Sequence, residues 1–157
     1  MLKQRLLTIV KIRDFASEVV KLPDNNSYRS YADIGRKYIV WNVFATPALS
    51  LQAHQSCFLF VGCLNYRGYF KKTDAIQYMA SLEAQGFDVY LGGVSAYSTL
   101  GWFDDPILNG MLERNDVDLA RLIFHELAHQ QLYIKDDSEF NEAFADAVAS
   151  IGLDYWL

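Results

Sequence analysis

The chain has 157 residues, 52% of them apolar and 21% charged, which is enough for one globular domain over residues 1–157 with a substantial core. A formal charge of −5, with no basic cluster interleaved with aromatics, excludes nucleic acid as a main partner. Asn42 and Pro47 interrupt the longest apolar stretch, Tyr38 to Leu51, so no segment reaches the roughly 20 residues of a transmembrane span.

The opening MLKQRLLTIVKIRDF carries Leu6, Leu7, Ile9, Val10 and Ile12, but charges at Lys3, Arg5, Lys11 and Arg13 leave an apolar run too short for a signal peptide. It reads as an amphipathic helix packed on the core and running to about Leu22, with membrane attachment as a second reading. Pro23, Asp24 and two asparagines form a stop, and residues 27–37 have loop character. YIVWNVFA, Tyr38 to Ala45, is β-branched and aromatic as a strand should be, and Thr46-Pro47 ends it. CFLFVGC and NYRGYF read as two more strands, with a bend at Gly62 or Gly68.

Cys57 and Cys63 flank FLFVG at a spacing that permits a disulfide across a turn in an exported chain. Two free thiols are the reading for a cytosolic one. A sulfur-ligated metal is disfavoured, because only His54 is near and the spacing matches no standard zinc pattern. From Lys72 to Gln85 the apolar positions Ala75, Ile76, Met79, Ala80 and Leu82 have helical spacing, with Gly86 as a cap. DVYLGGV then returns to strand. A helix between strands predicts an α+β fold with a small mixed sheet.

The segment GGVSAYSTLGWFDDP is a candidate for substrate binding through Gly92, Gly93, Val94, Ser95 and Ala96. Its glycines let backbone approach a ligand, and a strand edge can hold a peptide by main-chain hydrogen bonds. The plainer alternative is a turn-rich connector whose Trp102 and Phe103 pack into the core, with Asp104-Asp105-Pro106 forming a turn.

The run HELAH, His125 to His129, is the most specific motif. On a helix, residues four apart differ by about 40° around the axis, so both imidazoles can face one ion. Glu126 between them can flank the metal without ligating it, as a general base requires. A hydrolytic zinc keeps three protein ligands and one position for water, so one ligand is missing. Asp136 and Asp137 can end this helix and cap the next. A returning antiparallel helix would bring Glu142 to the histidines, and Asp146, one turn on, could accept a hydrogen bond from a ligand's free ring N–H. Glu139 competes for the ligand role but lacks that partner. The ordinary alternative is a buried helix whose histidines pair with Glu142 and Asp146 without any ion.

This pattern resembles the gluzincins, thermolysin-type zinc peptidases in which HExxH is completed by the glutamate of an NExxxD segment, here NEAFAD. The stretches SYRSYADIG, YRGYF, DVYLGGVSAYSTLGWFDDP, IFHELAHQ and FNEAFA resemble a bacterial family of predicted aminopeptidases, from about Ile12 to the end. The resemblance implies one zinc ion held by His125, His129 and Glu142, with Glu126 as base and a peptide as substrate. Zinc would lower the pKa of a water toward ~7, Glu126 would take its proton, and the leaving amine would receive it. Tyr133, one turn past His129, and Tyr97 are candidates to stabilise the oxyanion, with His54 behind them.

Family members usually carry an export or lipoprotein signal and continue beyond the NEAFA helix. The expectation is therefore a trimmed or partial form, placed in the periplasm or envelope by resemblance and in the cytoplasm if complete. The rival function is a zinc-stabilised binding module or an inactive peptidase-like protein. Glu126 favours catalysis, since a purely structural site needs no carboxylate there.

Overall fold

The computed structural model describes residues 2–58, 62–96 and 98–157 as a mixed α+β fold. In chain order its elements are α1 (Leu2–Glu18), β1 (Tyr31–Ala32), β2 (Val40–Pro47), β3 (Ser56–Phe58), β4 (Gly62–Leu64), β5 (Arg67–Tyr69), α2 (Lys72–Glu83), β6 (Phe87–Val94), β7 (Ile107–Leu108), a 3-10 turn (Asn109–Glu113), α3 (Asp116–Gln131) and α4 (Ser138–Trp156). No helix among the described residues is long and apolar enough to cross a membrane. The chain divides into two compact units. One comprises Met1–Lys37, Ala96–Ile134 and Glu139–Leu157; the other comprises Tyr38–Ser95 and Lys135–Ser138.

In the first unit α3 is the central element. Leu119, Ala120, Ile123, Phe124, Leu127 and Ala128 are completely buried, and each large apolar side chain so removed from water contributes about 1.5–3 kcal/mol. The helix starts where the sequence makes starting favourable. Asn115 accepts a hydrogen bond from the Asp118 N–H at 2.8 Å, and Asp116 and Asp118 lie at the positive end of the helix dipole. Phe124 meets Phe15 of α1 at a centroid distance of 6.0 Å, and Phe15 in turn meets Trp156 of α4 at 5.0 Å. A Cβ at Gly152 would come within 2.8 Å of the Phe124 ring, so this glycine is what lets α4 approach α3. β1 and β7 form a two-residue parallel bridge, Tyr31 with Ile107 and Ala32 with Leu108.

Helix α1 buries Ile9, Ile12 and Ala16 on one face, and Arg13 with them. It ends at Glu18, earlier than its pattern suggests. Lys21 adopts φ 63° and Leu22 folds back, its N–H donating to the Ala16 carbonyl at 2.9 Å. The buried Arg13 guanidinium donates to the carbonyls of Ser27 (2.8 Å), Pro23 (2.7 Å) and Asn25 (3.0 Å), so the charge is satisfied by backbone dipoles that it also organises.

The second unit is a three-stranded antiparallel sheet in the order β5-β2-β6, with α2 on one face. Val43 and Ala45 point to that face and pack against Ala75 and Leu82, ringed by Trp41, Tyr78, Met79 and Leu91. The alternate residues Phe44 and Tyr90 point the other way and stay exposed. The described residues of CFLFVGC belong not to one strand but to two antiparallel ones, β3 and β4, in which Cys57 lies opposite Cys63 and is bonded to it. Gly62, at φ 82°, is required here, since a Cβ would lie 2.1 Å from the Asp136 carboxylate, which accepts the Cys63 N–H at 2.8 Å.

Candidate metal centre

Helices α3 and α4 carry the motif residues of the first unit, and the helical period puts His125 and His129 on one face of α3. Their Nε2 atoms are 3.1 Å apart. Glu142, in the first turns of α4, places Oε2 3.3 Å from His125 Nε2 and Oε1 3.7 Å from His129 Nε2. One donor atom from each of the three residues thus lies within 4.8 Å of the other two. A tetrahedral zinc with bonds near 2.0–2.1 Å needs ligand atoms about 3.3 Å apart; the two histidine nitrogens stand near that spacing, and each reaches a different oxygen of Glu142. The donor set of two imidazoles and a carboxylate is also one that zinc prefers. Glu139, the competitor for the third position, is not among the three.

Asp146 Oδ1 lies 3.1 Å from His125 Nδ1. A carboxylate there holds the proton on Nδ1 and leaves the Nε2 lone pair directed at the common point. His129 has no such support: its Nδ1 is buried without a hydrogen-bond partner among the described residues.

Electrostatics follow the geometry. Burial pulls the His125 pKa down, but the Glu142 hydrogen bond and the charges of Glu126, Glu142 and Asp146 outweigh it, and the net shift is upward. His129 is lowered, chiefly by burial. Glu142 is lowered, first by its hydrogen bond with His125. Glu126 is only 9% exposed, and burial pushes its carboxyl up to about 7, with Glu142 and Asp105 adding to the rise and His125 opposing it.

The remaining expected residues are dispersed. Tyr133 is half-buried but not one turn along the helix from His129, because α3 stops at Gln131 and the chain leaves in an extended segment. Tyr97 lies outside the described residues. Gly92, Gly93 and Val94 belong to β6, an edge strand of the sheet in the second unit, with Ser95 after them and Ala96 in the first unit. The glycines answer to internal packing. A Cβ at Gly93 would lie 2.5 Å from the Tyr38 ring, and Gly92 lies under Tyr90 and Phe44. His54 stands in the second unit against Phe87, ring centroids 5.1 Å apart.

Trp102 and Phe103 do not join the core; they are 81% and 74% exposed. Their loop is braced from within by Asp105, which is buried and accepts from the Thr99 N–H (2.8 Å) and hydroxyl (3.1 Å). Asn25 donates at 2.7 Å to the carboxamide of Gln130, the neighbour of His129, and Gln130 donates at 3.2 Å to Ser27. These supporting residues were not singled out from the sequence, since Asn, Gln and Ser carry no spacing signal. Asn141 is another, and only its place beside Glu142 in NEAFAD could have drawn notice.

The family model described as "Putative aminopeptidase" matches residues 1–157. No curated protein and no solved structure matches the chain. With the whole of its length matched, the chain belongs to this family.

Proposed function

We propose that the chain is a zinc-dependent aminopeptidase of the gluzincin type, in which His125, His129 and Glu142 hold one zinc ion and Glu126 carries the proton. The observation that supports this reading is the grouping of one donor atom from each of His125, His129 and Glu142 within 4.8 Å, with the buried carboxyl of the intervening Glu126 raised to about 7. A zinc ion held there would supply a Lewis acid that polarises a peptide carbonyl and acidifies a water. Glu126, poised near neutrality by burial, takes the proton of the attacking water and returns it to the leaving amine. Asp146 keeps His125 in the tautomer whose Nε2 can ligate.

A zinc-stabilised binding module is the rival. Glu126 favours catalysis, because a purely structural site has no need of a buried carboxyl at that position. The test is hydrolysis of peptides with free and blocked amino termini by purified protein, with and without a chelator. Chelator-sensitive release of the first residue from free termini only is expected. Zinc binding without hydrolysis of any peptide would leave the module reading in its place.

A further inference from the structure

The segment between the two ligand-bearing helices is fastened at a point that has no part in ligation. Asn141 is 1% exposed, and its carboxamide makes two hydrogen bonds to a single residue. Its Oδ1 accepts the Ile134 N–H at 2.7 Å, and its Nδ2 donates to the Ile134 carbonyl at 2.7 Å. Ile134 lies in the extended stretch that leaves α3 just beyond His129, and Asn141 sits in the first turn of α4, immediately before Glu142.

A planar carboxamide presents donor and acceptor side by side, so it pairs with one residue's N–H and C=O as a neighbouring strand would. Two such bonds fix a direction where one would leave a pivot. The clamp therefore ties the start of α4 to the exit of α3 and sets how the first turn of α4 is rotated. That rotation matters for Glu142. Its carboxylate stands about 6 Å from the helix axis, so a turn of 20° would carry it roughly 2 Å, the length of a whole zinc–oxygen bond. The side chain of Glu142 is itself half exposed, so beyond its contacts with the two histidines its direction comes from the backbone beneath it.

We infer that Asn141 is a positioning residue for the metal, raising zinc affinity by orienting Glu142 through its two-point clamp on Ile134. The inference rests on the assignment of His125, His129 and Glu142 as zinc ligands.

The test is zinc affinity, read by competition with a chromophoric chelator, for the parent, Asn141→Ala, Asn141→Asp, Glu142→Ala and the double variant Asn141→Ala/Glu142→Ala. Far-UV circular dichroism of each metal-free protein checks that it is folded. Asn141→Ala should weaken zinc binding at least tenfold. Asn141→Asp, which keeps the acceptor but loses the donor, should fall between it and the parent. In the Glu142→Ala background the Asn141→Ala change should cost less than a further twofold, because the ligand it orients is gone. Equal weakening in both backgrounds would show a general structural role and overturn the inference, as would parent-like affinity in Asn141→Ala. If Asn141→Ala does not fold, Asn141→Asp replaces it in the same cycle. A parent that binds zinc while Asn141→Ala binds equally well overturns this inference alone; a parent that binds no zinc overturns the metal assignment and the inference with it.

Discussion

The buried carboxyl of Glu126 has a consequence in the metal-free protein that requires no substrate. Folding raises its pKa from 4.5 to about 7, so the native state holds a proton that the unfolded chain releases between those values. Stability contributed by this group is then fully present below pH 4.5 and is lost as pH rises through 7. At about 1.4 kcal/mol per pH unit, the loss approaches roughly 3 kcal/mol by pH 8.5. Glutamine has the shape of the protonated carboxyl and never ionises. Glu126→Gln should therefore match the parent near pH 4.5 and exceed it by roughly 3 kcal/mol at pH 8.5. The assay is urea unfolding of both proteins with chelator present throughout, with stabilities compared at matched m-values. A gain that is no larger at pH 8.5 than at pH 4.5 would refute the claim that burial strains this carboxylate. So would a parent more stable than the variant at high pH.

In the zinc-loaded protein the same Glu126→Gln variant should keep its metal by equilibrium dialysis while kcat falls by about 10²–10⁴, the usual contribution of a general base. Asp146→Asn should still bind zinc but about tenfold more weakly, measured by chelator competition, because His125 loses the charge that holds its Nδ1 proton. Replacing Cys57 and Cys63 with serine should lower the unfolding free energy by about 2 kcal/mol, the value expected for a loop this short, when measured by urea denaturation under non-reducing conditions.

The parts of this molecule that could be read in the sequence are those whose cause is local and periodic. His125 and His129 needed only the pitch of a helix, and Glu142 was marked by Asp146 one turn on. Strand β2 and helix α2 likewise follow from alternation and from 3.6-residue spacing. What the sequence hid depends on partners distant along the chain or on backbone groups. The bridge of Tyr31–Ala32 to Ile107–Leu108 is too short to have a period. Arg13 looks like a solvated charge on an amphipathic helix until the loop carbonyls from Pro23 to Ser27 close around it. Asn141 clamps a main-chain N–H and C=O, and every residue but proline offers both, so nothing at Ile134 announces the contact. Trp102 and Phe103 invite burial by type, yet the Thr99 and Asp105 brace turns them outward.

Two of the perturbed groups of the site are raised, beyond what burial does, by the carboxylates around them, and this connects the fold to the chemistry. Glu142 and Asp105 both raise the Glu126 pKa, while Glu126, Glu142 and Asp146 together raise that of His125. Burial is the largest cause of the Glu126 rise and opposes that of His125, and in both the neighbouring carboxylates favour the protonated form. In the proposed site a cation would compete with protons at both groups. Excess negative charge at a point where three donors converge costs stability when no cation is there, and a divalent cation recovers that cost on binding. A histidine pair satisfied only by ordinary hydrogen bonds has no use for this surplus, since it would need one acceptor for each ring proton. Here His125 faces two carboxylates, and the buried Nδ1 of His129 faces none. Glu142 alone stands by both Nε2 atoms while Asp146 stands behind His125, the arrangement that the proposed cation between those nitrogens would use.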